Sequence, residues 1–160
     1  MAANTSRIFP ITPNFGAAGA LLYSALTNTK AFDGTEAAGT NMALAFTAGA
    51  FGSKLDRLQF FGTSRAGTTG ASSTTATLLR AWINNGSVNT TAGNNILIGE
   101  IAIPALVITA LSASIVNAVY EISLPMPLVL PASYRVYVGS TIAMADATVA
   151  IGVRAWGGDY

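Results

Sequence analysis

The chain has 160 residues, of which 51% are hydrophobic and only 9% are charged, with eight Lys and Arg against seven Asp and Glu. This length fits one domain, and the charged fraction lies far below the roughly 25% of an average soluble protein. Because the sequence holds no His and no Cys, it excludes disulfides, thiolate chemistry, zinc sites built on His or Cys, and any catalytic triad with an imidazole base.

The scarcity of charge predicts a protein whose surface is largely covered by other protein. A free-standing domain usually has charged side chains over about 25–35% of its surface. Here Thr, Ser, Asn and Gly must supply the polar surface, and a net charge of +1 favours association. We therefore expect a homo-oligomer; the alternative is a neutral, Thr- and Asn-covered β domain. The eight cations are too scattered for a phosphate-binding surface, so we expect no nucleic-acid partner.

The first 18 residues predict an extended arm, followed by a single domain over residues 19–160. Pro10 and Pro13 disfavour a helix in the arm. The stretch lacks the apolar core of a signal peptide. It nevertheless carries four large apolar residues that need a surface to lie on: Ile8, Phe9, Ile11 and Phe15. They either pack on their own domain or contact a neighbouring subunit or a capsid.

After the arm, short runs of alternating apolar and polar residues predict β-strands separated by Gly, Asn, Thr and Pro. No segment shows helical periodicity over three turns. The predicted strands lie at 20–26, 42–47, 54–63, 76–83, 96–103, 118–124, 133–142 and 147–156. Eight or nine strands at this spacing predict an all-β, antiparallel β-sandwich or barrel.

The connections between these runs contain characteristic turn residues. Loops are predicted at 65–75 and 86–95, and Gly86 after two asparagines supplies the positive φ that a tight turn requires. Three prolines, at 125, 127 and 131, restrict the residues between them to an edge strand or a crossing loop.

One uncharged segment, from Ile101 to Tyr120, has the length of a transmembrane helix. Pro104 lies near its start, and Glu100 and Glu121 flank it where an anchoring Lys or Arg would be expected. Its many β-branched residues favour strands. We interpret it as two buried strands, or a strand and a loop, and expect no membrane partner.

The sequence contains no catalytic or metal-binding motif. The run Asp33-Gly34-Thr35-Glu36 offers two oxygen ligands, but a calcium loop needs a denser acidic pattern, so an Asp-Gly turn is the better interpretation. The seven carboxylates lie in no recognisable pairing motif. We therefore expect no catalytic residues, no metal and no cofactor, and predict that the protein is not an enzyme.

The few charged residues are candidates for ion pairs within or between subunits. Lys54, Asp56 and Arg57 lie on one predicted strand and could meet Arg80 or Glu100 across a sheet. We predict that Lys54, Asp56, Arg57 and Arg80 serve as intersubunit charges; the alternative is a solvated strand face.

The aromatic residues leave two interpretations open. Trp82 is expected in the core, although it could pair with Arg80 by a cation–π contact. Trp156 and Tyr160, near a Gly-Gly pair, are expected to pack on the fold or a neighbour. If the chain were instead a carbohydrate-binding module, its sugar platforms would come from Trp82, Tyr134, Tyr137, Trp156 and Tyr160.

Three stretches, KLDRLQFFGTS, TATLLRAWINNGS and PMPLVLPASYRVYVGSTI with the ending VAIGVRAWGGDY, resemble small structural proteins of the virion modules of tailed phages and prophages. The resemblance covers residues 54–160. It rests on Leu79-Arg80 before Asn84-Asn85-Gly86, on the strand entry Leu130-Pro131-Ala132-Ser133-Tyr134, and on the Gly-Asp-Tyr ending. Ser133 stands where the family usually has glycine.

This resemblance implies an accessory virion protein, of the capsid decoration or cement type, in which jelly-roll or related β-sandwich trimers are common, so that we expect an antiparallel jelly-roll sandwich of about eight strands. Its partner would be the major capsid protein, and its location the capsid exterior of a virion assembled in the host cytoplasm. A tail or baseplate component is an alternative. No catalytic residue carries over from the family.

Overall fold

The computed structural model describes residues 10, 12–16, 21–22, 34–35, 41–64, 72–73, 75–108, 119–124, 126–143 and 149–160. Within these ranges the chain contains β-strands and one short 3-10 turn, Ala92–Asn94, but no α-helix. The twelve strands are β1 Thr12–Asn14, β2 Leu21–Leu22, β3 Met42–Thr47, β4 Ser53–Ser64, β5 Ser72–Ser73, β6 Thr77–Asn84, β7 Asn95–Ile103, β8 Val107–Ile108, β9 Val119–Ile122, β10 Leu128–Leu130, β11 Arg135–Ser140 and β12 Val149–Asp159.

Ten of these strands form two antiparallel sheets. Sheet I has the order β1-β12-β4-β10, with β2 also pairing with β12 and β9 with β4. Sheet II has the order β3-β11-β6-β7, and β5 pairs with β8 in a small separate ribbon. The predicted all-β antiparallel sandwich is therefore confirmed.

The connectivity is that of a jelly roll. β1 and β2 lie along successive stretches of β12, and β9 and β10 lie along successive stretches of β4, so each pair is one interrupted edge strand. Counted in this way, eight strands run in the orders 1-8-3-6 and 2-7-4-5, the double Greek key of a jelly roll.

Alternating side chains of the two sheets form the core between them. Sheet I contributes Leu55, Leu58 and Phe60 from β4 and Ile151 from β12, all without exposed surface. Sheet II adds residues that are equally buried: Phe46, Leu79, Ala81, Val136 and Val138. The alternation of inward and outward side chains, interrupted by one register shift in the β4–β12 ladder and one in the β6–β7 ladder, is why the period-two pattern located the strands.

A second apolar cluster lies on the outer face of sheet II. Trp82 is 0% exposed, and it packs with Met42 and Tyr137. Gly34 covers the indole so closely that an added Cβ there would lie 2.8–2.9 Å from its ring atoms. Trp82 is thus buried as predicted, but by a distant segment of chain rather than by the opposite sheet.

The prolines and the long uncharged segment fit the fold in the expected way. β10 lies between Pro127 and Pro131 on an edge of sheet I. The described ends of the segment from Ile101 to Tyr120 are strands, and residues 109–118 lie outside the described ranges. No helix among the described residues is long and apolar enough to cross a membrane.

The division into an arm over 1–18 and a domain over 19–160 stays a prediction, but part of the arm belongs to a sheet. Residues Thr12 to Asn14 form β1 and pair with the end of β12, opposite Asp159 to Gly157. Of the four apolar arm residues, only Phe15 is described; Ile8, Phe9 and Ile11 lie outside the described ranges.

Candidate functional site

Three connections at one end of the sandwich contain no charged residue, and we call them together the uncharged end; the Asp159 carboxylate borders the first of them, since an added Cβ at Gly49 would lie 2.8 Å from its Cγ. They are residues 48–52 between β3 and β4, residues 85–94 between β6 and β7, and residues 131–134 between β10 and β11. The Ala48 amide donates to the Tyr134 carbonyl at 2.8 Å. The Cα of Gly86 lies so close to the 131–134 turn that an added Cβ would lie 2.8 Å from the Ser133 carbonyl oxygen. The three connections therefore make one continuous surface.

Paired asparagines hold the 85–94 connection in one conformation. Asn84 Nδ2 donates to Asn95 Oδ1 at 2.9 Å, and Asn85 Nδ2 donates to Asn94 Oδ1 at 3.1 Å. Asn95 Nδ2 also donates to the Asn89 carbonyl at 2.7 Å. Gly86 has the predicted positive φ of 89°, although the chain closes a ten-residue loop there instead of a tight turn. These bonds order the loop without using a charge.

The uncharged end carries the most exposed large apolar side chain that the structure describes. Phe51 is 83% exposed in the 48–52 turn, and Val88 is 66% exposed in the 85–94 loop. Exposed apolar groups on an ordered, uncharged surface are typical of a protein contact site. Sequence reasoning missed both residues; the available signal was a single Phe flanked by Ala and Gly, where a turn has no need for an aromatic ring.

The N-terminal arm enters the fold at this same end. β1 pairs with the last residues of β12, and Pro10 lies so near Gly158 that an added Cβ on the glycine would be 2.6 Å from the proline Cβ. Asn14 Nδ2 donates to Asp159 Oδ1 at 2.8 Å, and Ser53 Oγ donates to the same carboxylate oxygen. The Asp159 carboxylate, which strand pairing places opposite Thr12 at this entry point, is thereby held by hydrogen bonds within the protein.

Phe15, the described member of the predicted contact residues, packs on its own domain while keeping 58% of its surface exposed. Its ring meets Trp156 edge-on, with 5.4 Å between the ring centroids. The structure thus brings Phe15 to the outer face of sheet I, next to the C-terminal strand. Trp156 and the residues up to Asp159 belong to β12, and the Tyr160 amide donates to the Gly52 carbonyl at 3.2 Å, so this stretch packs on the fold as expected.

The predicted meeting of the β4 charges with Arg80 or Glu100 is wrong. Lys54, Asp56 and Arg57 lie in sheet I, whereas Arg80 and Glu100 lie opposite each other in sheet II. The jelly-roll connection carries the chain from one sheet to the other between β4 and β6, so these two strands are not neighbours.

The ion pairs form within each sheet instead. Lys54 Nζ lies 2.8 Å from Asp56 Oδ1 on the same strand, and Arg80 Nε lies 3.1 Å from Glu100 Oε2 across the β6–β7 ladder. Arg57 makes no ion pair with any described residue. The intersubunit role of Lys54, Asp56, Arg57 and Arg80 stays a prediction.

Burial excludes two of the five aromatic residues that were candidates for stacking on a sugar. Trp82 is fully buried and Tyr137 is 4% exposed, so neither ring can stack on a sugar. Tyr134, Trp156 and Tyr160 are half-buried. Of these, Trp156 lies on the open outer face of sheet I, where its Nε1 donates to Gln59 Oε1 at 2.8 Å.

The described residues contain no group of three or more acidic residues arranged to hold a metal ion. In the run Asp33-Gly34-Thr35-Glu36, the two acidic residues lie outside the described ranges. Gly34 has a φ of 70° and is buried against Trp82, in keeping with the predicted turn.

Comparison with known proteins gives little similarity. No family model matches the chain, and no curated protein matches it. Among solved structures, a chain of infectious bursal disease virus, Gt strain, aligns over 95% of this protein with 10% sequence identity and a TM-score of 0.32. The aligned region is 32% of that viral chain, so this protein spans about a third of its length.

Proposed function

We propose that this protein is a non-enzymatic structural protein of a phage virion, which binds the outer surface of the capsid through its uncharged end and stabilises the head. The observation that carries the proposal is the exposure of Phe51 and Val88 on connections that contain no charged residue and are held by hydrogen bonds. The resemblance of residues 54–160 to virion-module proteins points in the same direction. The major capsid protein would be the partner.

The arrangement supports a passive mechanism. Burial of the Phe51 side chain against the capsid would contribute about 2 kcal/mol per copy, since fully burying a large apolar side chain is worth about 1.5–3 kcal/mol. No charged group of the three connections would have to lose its water, which removes the main cost of forming such a contact. Repeated over many copies, this modest energy would reinforce the shell.

The arm and a homotrimeric assembly belong to the same proposal. Because β1 lies beside the uncharged end, the proposal includes the arm residues Ile8, Phe9 and Ile11 among those that contact the capsid or a neighbouring copy. Three copies placed around one axis would bring three uncharged ends onto the same capsid surface.

The test compares two substitutions of the same kind at opposite ends of the sandwich. Phe51→Asp places a charge in the proposed contact, and Ile142→Asp places one beyond the other end of β11, where Ile142 is 48% exposed. Each variant would be added to capsids of the encoding phage that were purified without this protein, and occupancy would be measured after sedimentation.

We expect Phe51→Asp to weaken binding about 30-fold, which corresponds to about 2 kcal/mol, while Ile142→Asp binds like the wild type. Deleting residues 1–9 should also lower occupancy while leaving β1 in sheet I. Equal binding by all variants, or the absence of binding by the wild type, would refute the proposal.

A further inference from the structure

The outer face of sheet I contains a depression that the proposed capsid contact does not use. It has a volume of about 630 Å³ and is lined by Asp56, Arg57, Gln59, Trp156 and Gly157. A smaller depression of about 260 Å³ adjoins it and shares Asp56 and Gly157. The combined space lies in the range of small-molecule binding sites in proteins.

The aromatic wall of this depression is fixed before any ligand arrives. The indole Nε1 of Trp156 donates to Gln59 Oε1 at 2.8 Å, and Gln59 Nε2 donates to Glu121 Oε2 at 3.2 Å. Phe15 supports the same ring edge-on. A ring that is already held loses little conformational freedom when a flat ligand stacks on it.

The depression also concentrates charge in a protein that has very little. Five of the nine charged residues that the structure describes belong to this face: Lys54, Asp56, Arg57, Glu121 and Arg154. They are three cations and two carboxylates, and one of the carboxylates, Asp56, is held by Lys54.

Two guanidinium groups lie close to the Trp156 ring without a carboxylate partner among the described residues. Strand pairing places Arg57 opposite Trp156. Arg154 lies 5.7 Å from the Trp156 ring and 5.2 Å from the Phe61 ring, measured to the ring centroids. An arginine that lacks an anionic partner beside a fixed aromatic ring fits a ligand that has both a carboxylate and a flat apolar surface.

We propose that this depression binds an acidic saccharide. One sugar ring stacks on Trp156, its carboxylate binds the Arg57 guanidinium, and Asp56 accepts hydrogen bonds from hydroxyl groups. A single-stranded nucleic acid fits less well, because it requires a continuous basic track, and the described residues place two cations without a carboxylate partner on this face. The larger depression, which holds Arg57 and Trp156, is lined by no residue of the arm or of the three connections, so ligand binding there does not depend on the capsid contact.

The test is a titration with tetragalacturonate at low salt, followed by calorimetry and by tryptophan fluorescence. Trp82 is fully buried, so a change in fluorescence would report on Trp156. The matched neutral ligand is maltotetraose, and an eight-nucleotide oligothymidylate tests the nucleic-acid alternative.

Two variants on the outer face of sheet I and one control variant in sheet II test the proposal. We expect Arg57→Gln to weaken tetragalacturonate binding at least tenfold and Trp156→Ala to abolish it. Arg135→Gln, which removes the same charge from sheet II, should bind like the wild type. Because Arg57 is exposed and unpaired, its replacement leaves the fold intact, as the melting temperature would verify.

The proposal is overturned by any of four results: no binding of tetragalacturonate, equally tight binding of maltotetraose, tighter binding of oligothymidylate, or an equal loss in Arg57→Gln and Arg135→Gln. Capsid occupancy of Arg57→Gln separates this site from the proposed function. It should equal that of the wild type, whether or not the saccharide binds.

Discussion

Replacing Gly157 with alanine should destabilise the protein strongly, although the side chain added is a single methyl group. Gly157 lies in β12 at a register shift against β4, the longest strand pair of sheet I. A Cβ at this position would lie 2.1 Å from the Lys54 carbonyl oxygen and 3.2 Å from the Leu55 Cα. These are backbone atoms of the neighbouring strand, so no side-chain rotation can relieve the overlap.

The magnitude follows from the distance by which the strands must separate. Ordinary contact requires a shift of about 1 Å, which lengthens a ladder hydrogen bond beyond its useful range. Two such bonds are worth about 1 kcal/mol each, and the remaining overlap costs about 1 kcal/mol more. The total of about 3 kcal/mol corresponds to a fall in melting temperature of about 6–12 °C in a chain of this size.

The control is Gly93→Ala, because an added Cβ at Gly93 would have no atom within 4 Å. Both substitutions restrict the unfolded chain in the same way, so the difference between their unfolding free energies measures the contact that a methyl group added at Gly157 would make in the folded state. Urea unfolding would be measured at one protein concentration, since assembly also contributes to stability. Unfolding midpoints that coincide for the two variants would refute the close approach of β12 and β4 at Gly157.

Three further substitutions test other parts of the account. Gly34→Ala should lower the free energy of unfolding by about 2–3 kcal/mol, because it adds a methyl group against the Trp82 ring at a positive φ of 70°. A variant that unfolds at the same urea concentration as the wild type would show that Gly34 does not cover Trp82. Ser133→Gly should raise the melting temperature by a few degrees, because Ser133 has a φ of 68° and left-handed backbone costs a non-glycine residue about 1 kcal/mol; a lower melting temperature would contradict that strain. Glu100→Gln should lower the free energy of unfolding by less than about 1 kcal/mol, since the ion pair of Glu100 with Arg80 is half-exposed. A larger loss of stability in thermal unfolding would show that the pair contributes more than its geometry indicates.

The positions of the strands could be predicted from the sequence because apolar and polar residues alternate along most of their length, although β11 is buried on both faces and the ladders of β4 and β6 shift register once each. β3 occupies residues 42–47 as expected. β4 and β6 differ from the predicted bounds by one residue at each end, and β7 differs by one residue at its start. β12 continues three residues further, to Asp159. The Gly-Gly pair near its end reads as flexible in sequence, but Gly157 is required there by the close approach of β4.

The sequence does not predict which strands share a sheet, because that depends on pairing between residues that are far apart in the chain. This is why the sequence allowed the charges of β4 to meet Arg80 or Glu100 across a sheet, although β4 belongs to a different sheet from β6 and β7. The covering of Trp82 by Gly34 depends on residues 48 positions apart in the chain. The uncharged end became visible only once the fold had brought three separate connections together.

The most direct test of the central claim is an electron cryomicroscopy reconstruction of the virion that contains this protein. The account predicts jelly-roll density on the outer surface of the capsid, with the 48–52 turn and the 85–94 loop facing the shell and the Trp156 face of sheet I open to solvent. Density in the tail or baseplate, or copies whose uncharged ends face away from the shell, would contradict it.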